Sequence, residues 1–243
     1  FIEIEGMTWL PWVGKKYYKA GCKILIVAES HYTNGDKPDA VEHSKTELMN
    51  DATLTRQVVQ ECPINRDWGN NMFDNLHRAL VGTNDFDATS LWENIAFFNH
   101  VQRPMDYNIK ERPNFADYIQ GWKVFSEVVQ VLKPDYCIYV GVEASNCFNY
   151  AMDCENIIHS KVEWLSDYQG AYARRMNIKF EDYILPIHAI RHTSSYFTWE
   201  FWNAFLKKYT RQAIEYLSAL YSGHIFETEY NIESYIPYAT WTS

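Results

Sequence analysis

Four short apolar runs punctuate the chain, each four to eight residues long and rich in Ile, Val, Phe or Tyr. They are 23–28 (KILIVA), 94–99 (NIAFFN), 135–141 (DYCIYVG) and 183–188 (YILPIH). Runs of this length with β-branched and aromatic content read as strands buried on both faces. Between them the apolar positions recur at three and four, the helical period. Helices are therefore expected over 44–61, 71–82, 114–134, 143–153 and 198–223, with Gly82 and Gly223 placed as C-caps and Pro134 as a stop.

Strands that alternate with helices require crossover connections and a mainly parallel sheet. The pattern predicts a three-layer α/β/α sandwich around a central four-stranded, mainly parallel sheet. Residues 1–243 read as one domain, with a core over about 23–222 and a C-terminal tail over 223–243 that packs on the domain or on a partner. No repeat or low-complexity linker suggests a second domain.

In open parallel sheets ligands bind outside the carboxyl ends of the strands. Three of the four predicted strand ends here carry clustered polar groups. The first is followed by Glu29-Ser30-His31-Tyr32, the second by Asn99-His100-Val101-Gln102-Arg103-Pro104 and the fourth by Arg191-His192-Thr193-Ser194-Ser195. The third ends in a plain turn, Gly141-Val142-Glu143. Three coincident polar turns on one rim point to a site.

These segments resemble the motifs of the uracil-DNA glycosylase superfamily in order and spacing. A-E-S-H-Y stands where the family has a G-Q-D-P-Y-H or G-E-x-P-G loop. F-F-N-H-V-Q-R-P matches its middle-strand asparagine segment, and R-H-T-S-S its H-P-S loop; L-K-P-D-Y-C-I-Y-V-G is similar to its lysine-proline-led strand. The likeness covers about residues 23–205 and departs from the family at Ala28, His31 and Thr193. It implies hydrolysis of the N-glycosidic bond of uracil or another deaminated or damaged base, in single-stranded or locally opened DNA, without metal or other cofactor. Catalysis would rest on Glu29 as the carboxylate, Asn99 as base reader and His192 as donor to the leaving base. Ser30, His31, Tyr32, Phe98, Thr193 and Ser194 would line the substrate, with Arg103, Arg191 and Ser195 toward DNA. In the alternative register Ser30 takes the acid's place, and only Tyr32 is kept.

Bulk properties restrict this picture. A formal charge of −9 opposes nucleic-acid binding, because phosphate neutralisation is the main non-specific attraction. The five cysteines include no C-x-x-C pair, which favours a reducing, cytoplasmic setting over a disulfide or zinc scaffold. No signal peptide and no membrane span is expected. Other readings stay open: a metal held by His31, His100, His188, His192 and Glu29; a serine hydrolase using Ser30 and His192; and a non-catalytic member that binds a nucleotide or a nucleic-acid end.

Overall fold

Among the described residues nine strands form one mixed sheet: β1 (Trp12–Val13), β2 (Ile24–Ala28), β3 (Ile95–Asn99), β4 (Tyr136–Val140), β5 (Ile158–Ser160), β6 (Glu163–Trp164), β7 (Arg174–Lys179), β8 (Ile184–Ile190) and β9 (Trp241–Thr242). They are seen in a computed structural model that describes residues 1–34, 37–84, 87–165, 173–194, 196–222 and 241–242. The order is β1-β3-β2-β4-β8-β7-β5-β9, with β6 on β7. All four apolar runs fall on the central strands β3, β2, β4 and β8, which pair in parallel. The sheet is nonetheless larger and more mixed than the expected four strands. β1 adds antiparallel on one side, and β7, β5, β6 and β9 extend the other side antiparallel.

Alternation along β2 explains the two cores. Ile24, Ile26 and Ala28 join one buried cluster, and Leu25 and Val27 the other, as a period of two dictates. Helices α3 (Asn71–Val81), α4 (Ala88–Trp92), α7 (Trp199–Tyr209) and α8 (Arg211–Ser222) supply the first cluster. Helices α5 (Phe115–Leu132) and α6 (Phe148–Cys154) supply the second.

Helix ends follow local chemistry. Asn70 caps α3 by accepting from the Met72 N–H at 2.8 Å, and Gly82 closes it in the left-handed region at φ 80°. Asn114 and Asp117 form a reciprocal capping box on α5, which stops at Lys133 just before Pro134. Two expected helices divide. Region 44–61 is split between α1 (Pro38–Asn50) and α2 (Leu54–Val59), followed by a π-helical turn over Gln60–Asn65 that contains Pro63. Region 198–223 breaks at the buried Thr210, whose hydroxyl donates to the Leu206 carbonyl at 2.8 Å. Of the tail, the described residues Trp241–Thr242 pair with β5; 223–240 and 243 lie outside the described residues. All five cysteines are free thiols, and no helix among the described residues is long and apolar enough to cross a membrane.

Gly121 lets α5 lie directly on the loop after β3. A Cβ there would sit 2.5 Å from the His100 ring and 2.6 Å from the His100 carbonyl oxygen. Alanine would gain roughly 1 kcal/mol of helix propensity, but overpacking against fixed backbone costs about 1–3 kcal/mol. Gly121→Ala should therefore lower the urea midpoint with an unchanged denaturant slope; a raised midpoint would show that the contact yields.

Candidate functional site

Parallel pairing sets the carboxyl ends of β3, β2, β4 and β8 along one rim. The ladder between β2 and β3 continues past the strands. His100 N donates to the Ala28 carbonyl at 2.9 Å, Val101 N to that of Glu29 at 2.8 Å, and Met105 N to that of His31 at 2.8 Å. Ser30 adds its hydroxyl to the Arg103 carbonyl at 2.5 Å, which ties Ser30 to the loop rather than leaving it as a nucleophile. The loops that carry Glu29 and Asn99 are thus one braced unit.

Glu29 is its centre. Its side chain is 11% exposed. Oε1 accepts from the Tyr118 hydroxyl and from Arg112 Nη2, both at 3.1 Å. Oε2 is buried and has no hydrogen-bond partner among the described residues. Burial and the Glu29 charge push the Tyr32 phenol up while Arg112 pulls it the other way. Tyr32 therefore walls this carboxylate, edge-on to Tyr107. Neither Arg112 nor Tyr118 stood out in the sequence. Arg112 lies in the polar K-E-R-P loop without periodicity, and Tyr118 reads as one more helix-face aromatic.

Asn99 is 2% exposed. Its Nδ2 donates to His31 Nε2 at 2.8 Å, and the same imidazole nitrogen lies 2.9 Å from the Thr55 hydroxyl. Burial depresses His31 to about 4, so the ring is neutral at pH 7. Gln102 locks the segment from behind, donating to the Asn99 carbonyl at 2.6 Å and accepting from the Thr8 and Trp9 N–H groups.

His192 stands at the end of β8, on the far side of β4 from Glu29. Its Nδ1 accepts from the Ser194 N–H at 3.3 Å and lies 2.9 Å from the Ser194 hydroxyl. The neutral ring therefore carries its proton on Nε2. Burial, then the Arg112 charge, lowers His192 to about 4. The β4 end between them is Gly141, at φ +119°, a conformation that keeps side chains off this stretch of rim. Thr193 is fully buried. Its hydroxyl donates to the Met72 carbonyl at 2.9 Å, and its own carbonyl accepts from Asn75 at 2.7 Å. It fixes the loop to α3, so its side chain is committed to structure rather than to substrate. Arg191 is half-buried beside it. Ser195 lies outside the described residues.

Other expected residues are placed elsewhere. Phe98 is fully buried in the α5-side core, because the residue before Asn99 points to the opposite sheet face; a base cannot reach its ring. Arg103 is gripped by Asp117 through two bonds of 2.7 Å and by Glu111 through a third of 2.7 Å, so a contact with phosphate would have to break these pairs. His100 is a satisfied core histidine: Nε2 donates to the Tyr118 carbonyl and Nδ1 accepts from the Tyr139 hydroxyl, each at 3.0 Å. His188 is buried near Tyr209. The histidines do not converge, and no metal-holding group of three His, Cys, Asp or Glu occurs among the described residues.

The Arg103 pairs make a pH-dependent brace. Burial works against ionisation of Asp117 and Glu111, but the Arg103 hydrogen bonds and charge, with backbone N–H donors, outweigh it and hold both carboxyls low. Lowered carboxyls stabilise the fold above their unfolded range, near pH 4, and lose that contribution as pH falls through the folded values. Arg103→Gln should accordingly lower the Tm most at pH 6–8, with the gap to wild type closing below about pH 4. A gap that is constant over that range would show that charge is not what the arginine supplies. A scan against family models and a search of curated proteins give no match.

Proposed function

We propose that the rim hydrolyses the N-glycosidic bond of uracil or another deaminated or damaged base in single-stranded or locally opened DNA, on a three-layer α/β/α domain of the uracil-DNA glycosylase kind. The observation that carries this reading is Glu29. One carboxylate oxygen is anchored by Tyr118 and Arg112, while the other is buried beside Tyr32 and has no hydrogen bond in the geometry of the described residues.

Cleavage passes through an oxocarbenium-like state, which an oriented carboxylate stabilises and to which it directs water. Oε2 is the oxygen left for that task. The departing base gains negative charge, and a neutral donor aimed at it lowers the barrier without first titrating. His192 meets that need, since its Nδ1 is taken by the Ser194 N–H and its Nε2 holds the proton. Asn99 brings an amide with acceptor and donor capacity suited to a pyrimidine edge.

A second reading, a non-catalytic module for a nucleotide or nucleic-acid end, draws on two facts: the Asn99 amide already serves His31, and Arg103 is tied to carboxylates.

Excision from single-stranded and duplex oligonucleotides bearing uracil or other damaged bases separates the two. Glu29→Ala and His192→Ala should each reduce single-turnover excision by about a hundredfold or more. Folded wild-type protein that releases no base from any substrate would leave only the binding reading. Because His192 is depressed to about 4, it is neutral across the neutral range. The wild-type rate should thus show no acid limb near pH 6.5 that His192→Asn removes. Finding such a limb would mean that the imidazole works as a cation.

A further inference from the structure

The register of the sheet extends the rim beyond the three strand ends. Trp164 pairs with Arg174, Arg174 with Ala189, Ala189 with Tyr139, Tyr139 with Val27 and Val27 with Phe98. One row of residues therefore runs across the sheet from β6 to β3, a single position short of Ala28, Val140, Ile190 and Asn99. Trp164 stands two strands from β8, so about 10 Å along the rim from the loop that begins with His192.

Trp164 is 57% exposed, although an indole of this size is usually covered. Among the described residues one ring contact is seen to hold it in place. The Arg174 guanidinium lies over the ring, 3.3 Å from its centroid, and is itself 5% exposed. A cross-strand cation–π pair fixes both the position and the tilt of the indole. Its remaining face is then the surface offered to solvent, flat, apolar and polarised from behind. That is a stacking surface for a planar ring.

Charge narrows the ring's source. Several neighbouring cations are paired: Arg175 with Glu163, Arg112 with Glu29, and Arg103 with Asp117 and Glu111. With a formal charge of −9, the chain has little with which to hold a duplex by its phosphates alone. A single strand also presents unstacked bases, which aromatic faces bind without regard to sequence.

We infer that Trp164 is a stacking platform for an unpaired base of single-stranded nucleic acid, one that flanks the base held at the Glu29–His192 rim. The choice of ligand rests on the nucleic-acid reading above; it does not rest on that reading's chemistry.

Fluorescence anisotropy of a labelled oligothymidylate, which contains no uracil, tests it on the full chain. Trp164→Ala should weaken single-strand binding about tenfold and Trp164→Phe should keep most of it. Duplex affinity, the dependence on salt and the Tm should stay at wild-type values in both variants. Oligothymidylate binding that is absent in wild type, unchanged in Trp164→Ala, or lost together with duplex binding and Tm would overturn the inference, the last by showing that the indole merely covers Arg174. Trp164-dependent binding without excision of any base would sink the glycosylase reading and leave this one standing. Excision with Trp164-independent binding would do the reverse.

Discussion

In a parallel sheet every strand ends at the same edge, and the ends can be held there only if something pairs the backbone after the strands stop. Here the β2–β3 ladder supplies that hold. Its bonds run on from Ala28–His100 through Glu29–Val101 to His31–Met105. Each of those bonds satisfies a polar backbone group next to a buried core, where an unmade bond would cost about 1–3 kcal/mol. Glu29 and Asn99 consequently sit on a continuation of the sheet rather than on free loops. The distance between a carboxylate and an amide is fixed by strand spacing, which is a rigid ruler.

The second constraint is the desolvation of charge. A carboxylate that is nine parts in ten buried needs hydrogen-bond donors to replace lost water, and Glu29 finds them in Tyr118 and Arg112 on one oxygen. The same need consumes Arg103, whose fork meets Asp117 with bidentate geometry and Glu111 with its third nitrogen. A rim that uses its arginines to stabilise its own carboxylates has few left for a phosphate backbone. The acidic chain and the paired cations are therefore one observation seen at two scales. Both favour a ligand recognised through its ring and its edge.

The central part of this fold was legible in the sequence because burial on both faces erases polar alternation. KILIVA, NIAFFN, DYCIYVG and YILPIH could hardly be anything but inner strands, and all four are. The outer strands were not legible. RRMNIK on β7 carries three cations in six residues, and its partners His159 and Leu185 are set by tertiary pairing. The break at Thr210 escaped for a similar reason: the apolar period runs through it unbroken, and only the packed turn shows that the chain changes direction. At the site, the residues that end strands were visible as a polar cluster after an apolar run. Arg112, Tyr118 and Thr55 were not, since each reaches the rim from a different helix or loop and nothing local marks it. Phe98 shows the opposite error, in which adjacency in sequence was taken for adjacency in space; one step along a strand is a change of face.

Asn99 shows how far a buried amide can serve two masters. Neutral His31 takes one N–H of Nδ2, which requires the tautomer that carries its proton on Nδ1; burial supplies the neutrality. A protonated ring would present a donor to a donor and expel the amide. With His31 neutral, the second N–H of the amide faces the Thr55 hydroxyl at a long 3.5 Å, and its carbonyl oxygen remains an acceptor. That complement, one donor and one acceptor side by side, is what the proposed uracil ligand would ask for through its N3–H and O4, once the long Thr55 contact gives way. Burial thus holds the amide in one orientation, and under the proposed reading its 2% exposure would admit a pyrimidine edge only from a base already turned out of its stack.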